Sequence, residues 1–373
     1  MKKFSKILTG IFIAWIAVFM LAIIALPDKS FSETENRYLA QKPKFSLSAL
    51  KSGKFAKDFE SYINDQFAGR NLFVKLNTLS EYVMGQREIN NVFIGKDGTL
   101  MGAPVSEESI GNMQNTVSAI NSFAEKTNVP VYFALIPSAY DICTEKHRNS
   151  FPSSDEKSII QSLYEISDAE CIDIYDALSS HNSEYIYYKT DHHWTSLGAY
   201  YGYRTIADTM NLEAKDISEM SDTTVNSDFY GTLYSKVPLF WLKGDEIHTY
   251  VSDNGVNVKA FNGKDWSDSK LYFDENLNIK DKYTYFLGQN EPLIVINTEN
   301  TGKPKLLIIR DSYSDSLAPF LTQNFSEIHL LDPRYYKLSV ADYVADNNID
   351  SVIICYSLSN FSEDKNLSLV LSR

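Results

Sequence analysis

Cysteine is scarce in this chain: Cys143, Cys171 and Cys355 are the only three in 373 residues. They form no CxxC pair and no zinc-type spacing, which removes thiol redox motifs and cysteine-based zinc folds. Cys355 closes the apolar run SVIIC and reads as a small core hydrophobe. Cys143 and Cys171 leave room for one disulfide in an oxidising compartment, a pairing that spacing does not decide. Histidine is sparse too, with six in all. Basic charge is short: 35 Lys and Arg face 48 Asp and Glu, for a net charge of −13. Lys2, Lys3 and Lys6 are the only charged residues before Asp28, so the remainder carries 32 basic and 48 acidic side chains. A body that acidic lacks the basic surface that displaces counterions from a phosphate backbone, and nucleic-acid binding is set aside. No internal repeat and no low-complexity tract is present, which excludes solenoid architectures. An apolar share of 44% with 13% aromatics supplies a sizeable core.

Long hydrophobic runs are absent but for one. Residues 7–27, ILTGIFIAWIAVFMLAIIALP, contain no charge, and about 20 apolar residues suffice to cross the hydrocarbon core. Lysines precede the run and Asp28 follows it, so the positive-inside rule places the N-terminus in the cytoplasm and the body outside. A cleaved signal peptide would have a shorter apolar region and a small-residue cleavage site. The run favours an uncleaved single-pass anchor over residues 1–28, with the lipid bilayer as partner through residues 7–27.

Residues 29–104 read as a helical arm and a hairpin that pack on the main domain. Phe55, Phe59, Tyr62 and Ile63 fall at helical spacing, and NVFIGKDGTL reads as a hairpin turning at Lys96-Asp97-Gly98. From 105 to 373 helices alternate with apolar strands. The strands are VPVYFALIP, ECIDIY, KLLIIR, EIHLLD and SVIICYS. That alternation predicts an α/β domain with a parallel sheet flanked by crossover helices. Between about 215 and 300 the pattern turns often and alternates. It reads as a β-rich insertion, a substrate lid or side wall.

Sites on parallel sheets lie beyond the carboxyl ends of the strands. After KLLII comes RDSYSDS, which puts Ser312 in a strand-to-helix turn able to expose a hydroxyl. A serine hydroxyl needs a base in hydrogen-bond reach and a group to hold that base. YKTDHHWTSLGAY supplies both. Thr195 or Ser196 caps the following helix, and Asp191 and His193, two apart in an extended loop, share a side. His192 then faces the other way. Metal binding is one rival, but two histidines and one carboxylate make an incomplete ligand set. Asp-His-His phosphoesterases are a second rival, and the further aspartate motifs they need are missing. A structural helix-cap cluster is the third reading.

The combination resembles the DHHW protein family and, more distantly, the periplasmic alginate O-acetyltransferases of the SGNH-hydrolase-like superfamily. The resemblance rests on TENRYLAQKPKFS, FESYINDQFAGR, NVFIGKDGTL, TDHHWTSLGAYYGY, YFLGQNEPLIVINT, LLIIRDSYSDSLAPFL and IHLLDPRYY. It implies an SGNH-like sheet, with Ser312 as nucleophile, His193 as base and Asp191 as its partner. Arg310 stands where SGNH enzymes usually carry glycine. For oxyanion or substrate contacts the candidates are Arg334, Tyr313, Arg310, Asn360, Gly288, Asn290, His192 and Trp194. The activity implied is O-acetyl transfer or ester hydrolysis on a cell-surface or exported polysaccharide, with no cofactor and no metal. The acyl donor would arrive through a membrane-bound O-acyltransferase partner. The alternative is a non-catalytic surface module that binds polysaccharide or an assembly partner.

Overall fold

A computed structural model describes residues 2–32 and 34–373. The chain divides into two compact units. One runs to Asn90 and takes in Tyr234–Leu242; the other comprises Asn91–Leu233 and Lys243–Arg373.

The first unit opens with the helix Lys2–Ala25. Its segment Phe4–Ala25 has a mean hydropathy of 2.8, and none of its residues is buried. At 1.5 Å per residue it is ~33 Å long, enough to cross a ~30 Å hydrocarbon core. The arm helices Leu47–Lys51, Lys54–Asp65 and Arg70–Val83 follow. Tyr62 is buried, as its helical spacing suggests, while Phe59 stays exposed.

The second unit is built on an eight-stranded sheet. Its strands in chain order are β1 (Val131–Ile136), β2 (Glu170–Ile172), β3 (Asn257–Phe261), β4 (Trp266–Ser269), β5 (Leu293–Asn297), β6 (Lys305–Arg310), β7 (Glu327–Leu331) and β8 (Ser351–Ser357). They lie in the order β4-β3-β5-β7-β6-β8-β1-β2. The five strands legible as apolar runs form the parallel part, β7-β6-β8-β1-β2. The three others extend it antiparallel from β7. Three strands of the β-rich segment expected at about 215–300 therefore form one edge of this sheet. The segment's remaining strands, Thr223–Phe229 and Asp245–Thr249, pair with each other.

The central strands are apolar throughout because both of their faces are covered. Leu306 and Ile308 of β6 enter one core layer with Ile206, Leu317 and Phe320. Leu307 and Ile309 enter the other with Val117, Ile120, Val340 and Phe361. This is the period-two alternation of a strand sandwiched between helices. The helix after β6, Ser314–Leu321, packs in the first layer, and the helix after β7, Val340–Asp346, packs in the second. The winding thus reverses at β6, which opens a crevice beyond its carboxyl end.

The hairpin pairs Val92–Ile94 with Leu100–Gly102, and its turn places Asp97 and Gly98 at φ 55° and 75°. Phe93 packs on Tyr140 and Phe151, which ties the hairpin into the second unit. All three cysteines are free thiols, so no Cys143–Cys171 bond forms; Cys355 lies fully buried in β8, as its sequence context suggests.

Candidate active site

Two loops converge beyond β6. The first begins at Tyr187, which bridges to Trp194 in antiparallel fashion and closes the intervening residues into a tight loop. Thr195 caps the helix Ser196–Thr209, accepting from Gly198 N–H. Glycine is required at 198, because a Cβ there would lie 2.3 Å from the Ile186 carbonyl oxygen. Beneath this loop Asp245 accepts from the backbone N–H groups of Lys189 and Thr190, each at 2.8 Å, and from the Thr190 and Tyr185 hydroxyls. A carboxylate that satisfies four donors fixes the loop rigidly.

The second loop follows β6. Asp311 is buried and accepts from Tyr313 N–H at 3.0 Å, from Ser357 N–H at 2.9 Å, from the Ser357 hydroxyl at 2.8 Å and from the Asn360 amide at 2.8 Å. Those bonds set the turn that carries Ser312 between strand and helix. The loops are joined by two further bonds. Trp194, fully buried, donates its indole N–H to the Tyr313 carbonyl at 2.9 Å, and the Tyr313 hydroxyl donates to the His192 carbonyl.

At the junction the Ser312 hydroxyl lies 2.8 Å from His193 Nε2, and His193 Nδ1 lies 2.6 Å from Asp191 Oδ1. An ionised carboxylate only accepts, so Nδ1 carries the ring proton and Nε2 presents its lone pair to the serine. Asp191 Oδ1 also accepts from His193 N–H at 3.0 Å. That bond makes an Asx turn, so the loop is bent rather than extended. The bend corrects one expectation: His192 does not face away. Its ring centroid lies 3.8 Å from that of His193, and its Nδ1 meets the Thr232 hydroxyl at 2.7 Å. Asp191 Oδ2 takes the Thr232 N–H at 2.7 Å and its hydroxyl at 2.9 Å. Gly231 allows this approach, since a Cβ there would sit 2.3 Å from the carboxylate.

Three parts of this site carry no sequence signal: Thr232, Asp245 and Tyr283. Tyr283 stacks flat on His193, with ring centroids 3.7 Å apart and planes at 7°. Its hydroxyl donates to the Ser312 carbonyl at 3.0 Å and contacts Ser316 Oγ at 3.1 Å.

The other candidates have distinct placements. Arg310 is buried and pairs with Asp315 at 2.6 Å across the nucleophile turn. Burial pushes Asp315 up to about 7, against the pull of Arg310. Arg334 forks onto Asp332, with Nη2–Oδ2 at 2.6 Å. It also lines a cleft of about 290 Å³ with Asp311, Tyr356 and Asn360. Asn360 directs its amide to Asp311. Gly288 takes φ 80° against the Phe273 ring, and Asn290 is exposed.

Burial tends to raise Asp191, but His192, His193 and their hydrogen bonds outweigh it and hold the carboxyl well below its usual range. Burial first, and His192 second, push His193 down to about 4 despite the pull of Asp191. The imidazole is therefore neutral and proton-accepting at neutral pH. We predict an acid limb in kcat/KM near pH 4 rather than near the ordinary histidine value of about 6.5. The sign for stability agrees. Between those values the unfolded chain binds a proton that the folded chain does not, so stability is full above about 6.5 and falls as pH drops. A kcat/KM profile with a soluble ester checks this, and an acid limb at or above pH 6.5 contradicts it.

Asp191, His192 and His193 also bring three donor atoms within 4.8 Å of one another, a potential metal group among the described residues. Each of these side chains is already engaged: Asp191 by His193 and Thr232, His192 by Thr232, and His193 by Asp191 and Ser312.

A hydroxyl, an imidazole and a carboxylate lie in line at the carboxyl edge of a parallel α/β sheet, with the winding reversed beside them, in an SGNH-like fold. The model for "DHHW protein" matches residues 105–331, well over half of the chain, and the protein belongs to the DHHW family. A solved DHHW family protein from Eubacterium siraeum DSM 15702 is similar at 25% identity and a TM-score of 0.64, covering 74% of this chain and 93% of its own. PatB1 of Bacillus cereus, solved with a sulfonyl adduct, is 24% identical with a TM-score of 0.64, covering 74% of this chain and 98% of its own. The O-acetyltransferase domain of Pseudomonas putida AlgJ is 14% identical with a TM-score of 0.48, covering 76% of this chain and 99% of its own. A search of curated protein sequences returned no match.

Proposed function

We propose that this protein is a membrane-anchored serine O-acyltransferase or esterase, working outside the cell on a surface or exported polysaccharide. The observation that carries the reading is the 2.8 Å contact between the Ser312 hydroxyl and His193 Nε2, with Asp191 behind the ring. In the first half-reaction Ser312 Oγ attacks the carbonyl of an acyl ester while its proton moves to His193 Nε2. The ester C–O bond breaks, the leaving oxygen takes that proton, and an acyl-serine remains. In the second half a sugar hydroxyl gives its proton to His193 and attacks the acyl-serine; the acyl–Oγ bond breaks and Ser312 Oγ takes that proton back from His193. Transfer results with a sugar acceptor, and hydrolysis with water.

Several features support this reading. Ser312 is partly open to solvent while His193 and Asp191 are buried, so an acyl group has access to the nucleophile alone. Arg310, the departure from the SGNH pattern, is turned to Asp315 and braces the turn. A sulfonyl adduct, as PatB1 carries, is what a reactive nucleophile leaves on meeting a sulfonyl electrophile. The apolar helix Phe4–Ala25 suits an uncleaved anchor with the acidic body outside. Acyl groups reaching that side imply a membrane-bound O-acyltransferase as donor partner.

The test is acyl transfer by the full chain in detergent or lipid discs. With an activated acetyl ester as donor, acetyl groups are expected on an oligosaccharide acceptor, and free acetate accumulates when the acceptor is withheld. No ester turnover, with or without acceptor, overturns the proposal.

A further inference from the structure

The arm after the membrane helix is charged unlike the rest of the chain. Residues 29–90 carry ten basic and seven acidic side chains in a protein of net charge −13. From Asn36 to Lys57 there is no acid at all, while Arg37, Lys42, Lys44, Lys51, Lys54 and Lys57 are basic. Arg37 is held by Asp65 and Lys54 by Asp58. Lys42, Lys44, Lys51 and Lys57 are exposed.

Apolar side chains interleave with these lysines and are also left in the open. Phe45 is 64% exposed, Leu47 69% and Leu50 50%. The next helix continues the theme, with Leu72, Phe73 and Leu76 exposed at helical spacing. Lysine heads beside aromatic and leucine side chains are the composition of an element that lies in a membrane interface.

The membrane helix fixes the level of this surface. Phe19 stacks on Phe67, with centroids 4.7 Å apart at 11°, and meets Phe73 edge-on at 5.9 Å. Phe19 lies six residues before the helix end at Ala25, which is ~9 Å along the axis. Phe67 and Phe73 therefore sit beside the apolar length of the helix, at a depth matching the ~5–10 Å to which interfacial helices sink. A cavity of about 520 Å³ opens nearby, with Leu26, Phe67 and Leu72 on its apolar side and Lys29 and Arg70 on its polar side.

We infer that the arm is a second membrane-binding element: Arg37–Lys57 and the apolar side of helix Arg70–Val83 seat in the surface of an anionic bilayer. The membrane helix alone would leave the ectodomain on a tether. The arm adds a second attachment to the lipid surface.

The experiment compares the full chain in lipid discs of phosphatidylcholine with discs containing phosphatidylglycerol, by amide hydrogen exchange. Exchange over residues 45–57 and 70–77 is expected to slow at least ~10-fold in the anionic discs, on the scale of about fivefold per surface lysine. Replacing Lys42, Lys44, Lys51 and Lys57 together with glutamate is expected to restore fast exchange there. Exchange elsewhere, and hydrolysis of a soluble ester, should not change. Equal exchange in both discs overturns the inference. So does protection that persists in the glutamate variant, or crosslinking of residues 45–57 to a second copy of the chain. None of these outcomes depends on the chemistry of Ser312, so the lipid inference and the acyl-transfer proposal fail separately.

Discussion

With Ser312 replaced by alanine, turnover of an activated acyl ester is expected to fall by about 10⁴-fold or more, to whatever binding and the loop dipoles retain. That is roughly 5.5 kcal/mol of transition-state stabilisation. The loss should be this large because no other hydroxyl is placed against His193 Nε2 among the described residues. His193→Ala should cost about as much, since a serine hydroxyl at neutral pH is a weak nucleophile without its base. The two effects should not add: the double variant is expected to match either single one. A sulfonyl fluoride or fluorophosphonate reads the same point without substrate. It should leave one adduct on Ser312, absent in Ser312→Ala and nearly absent in His193→Ala. Tyr283 stacks on the imidazole, so removing the ring opens a void, and His193→Gln serves as the better-filled control. Undiminished turnover in folded Ser312→Ala would remove the serine mechanism.

The parallel half of the sheet was legible because its strands are buried on both faces. KLLIIR and SVIICYS are apolar without interruption for that reason, and each is followed by a polar turn. The antiparallel edge was harder to read. Asn257–Phe261 alternates because its sheet is half covered, while Trp266–Ser269 buries none of its residues; alternation signals a strand without saying which sheet it joins. Only long-range pairing, Asn257–Phe261 against Leu293–Asn297, decides that.

In the site, Asp191 and His193 were legible because two adjacent histidines beside an acid are rare, and Ser312 because a polar turn follows a central strand. The spacing argument placed the acid and the base on one side for the wrong local reason. An Asx turn, rather than an extended loop, brings them together. Thr232, Asp245 and Tyr283 were hidden because each acts from far along the chain, on residues that no local pattern links it to. Threonine and tyrosine are common residue types, and nothing around Thr232 marks it until its hydroxyl and N–H are seen on Asp191. Arg310 is a different case. A guanidinium beside a nucleophile suggests an oxyanion contact, yet its nearest anion is Asp315, inside the fold.

Asp191→Asn is the sharper probe of the proposed mechanism, because it changes one atom and no volume. The carboxylate accepts four bonds, two from His193 and two from Thr232. An amide accepts on only one side. If its oxygen faces His193, its NH₂ meets the Thr232 N–H, and two donors confront each other in a buried place. If its NH₂ faces His193, Nδ1 must become the acceptor and the ring proton moves to Nε2, where it points at the Ser312 hydroxyl and blocks proton transfer. The expected result is a kcat lower by about 10⁴-fold with KM little changed, and a stability loss of roughly 1–3 kcal/mol from the unsatisfied donor. Kinetics together with denaturant melts measure both. Imidazole NMR of His193 separates the cases, because the Nδ1–H signal of the native tautomer should vanish in the second orientation. A drop of less than about tenfold would mean that the histidine needs no carboxylate to hold its tautomer, and Asp191 would then be a loop anchor rather than part of the chemistry.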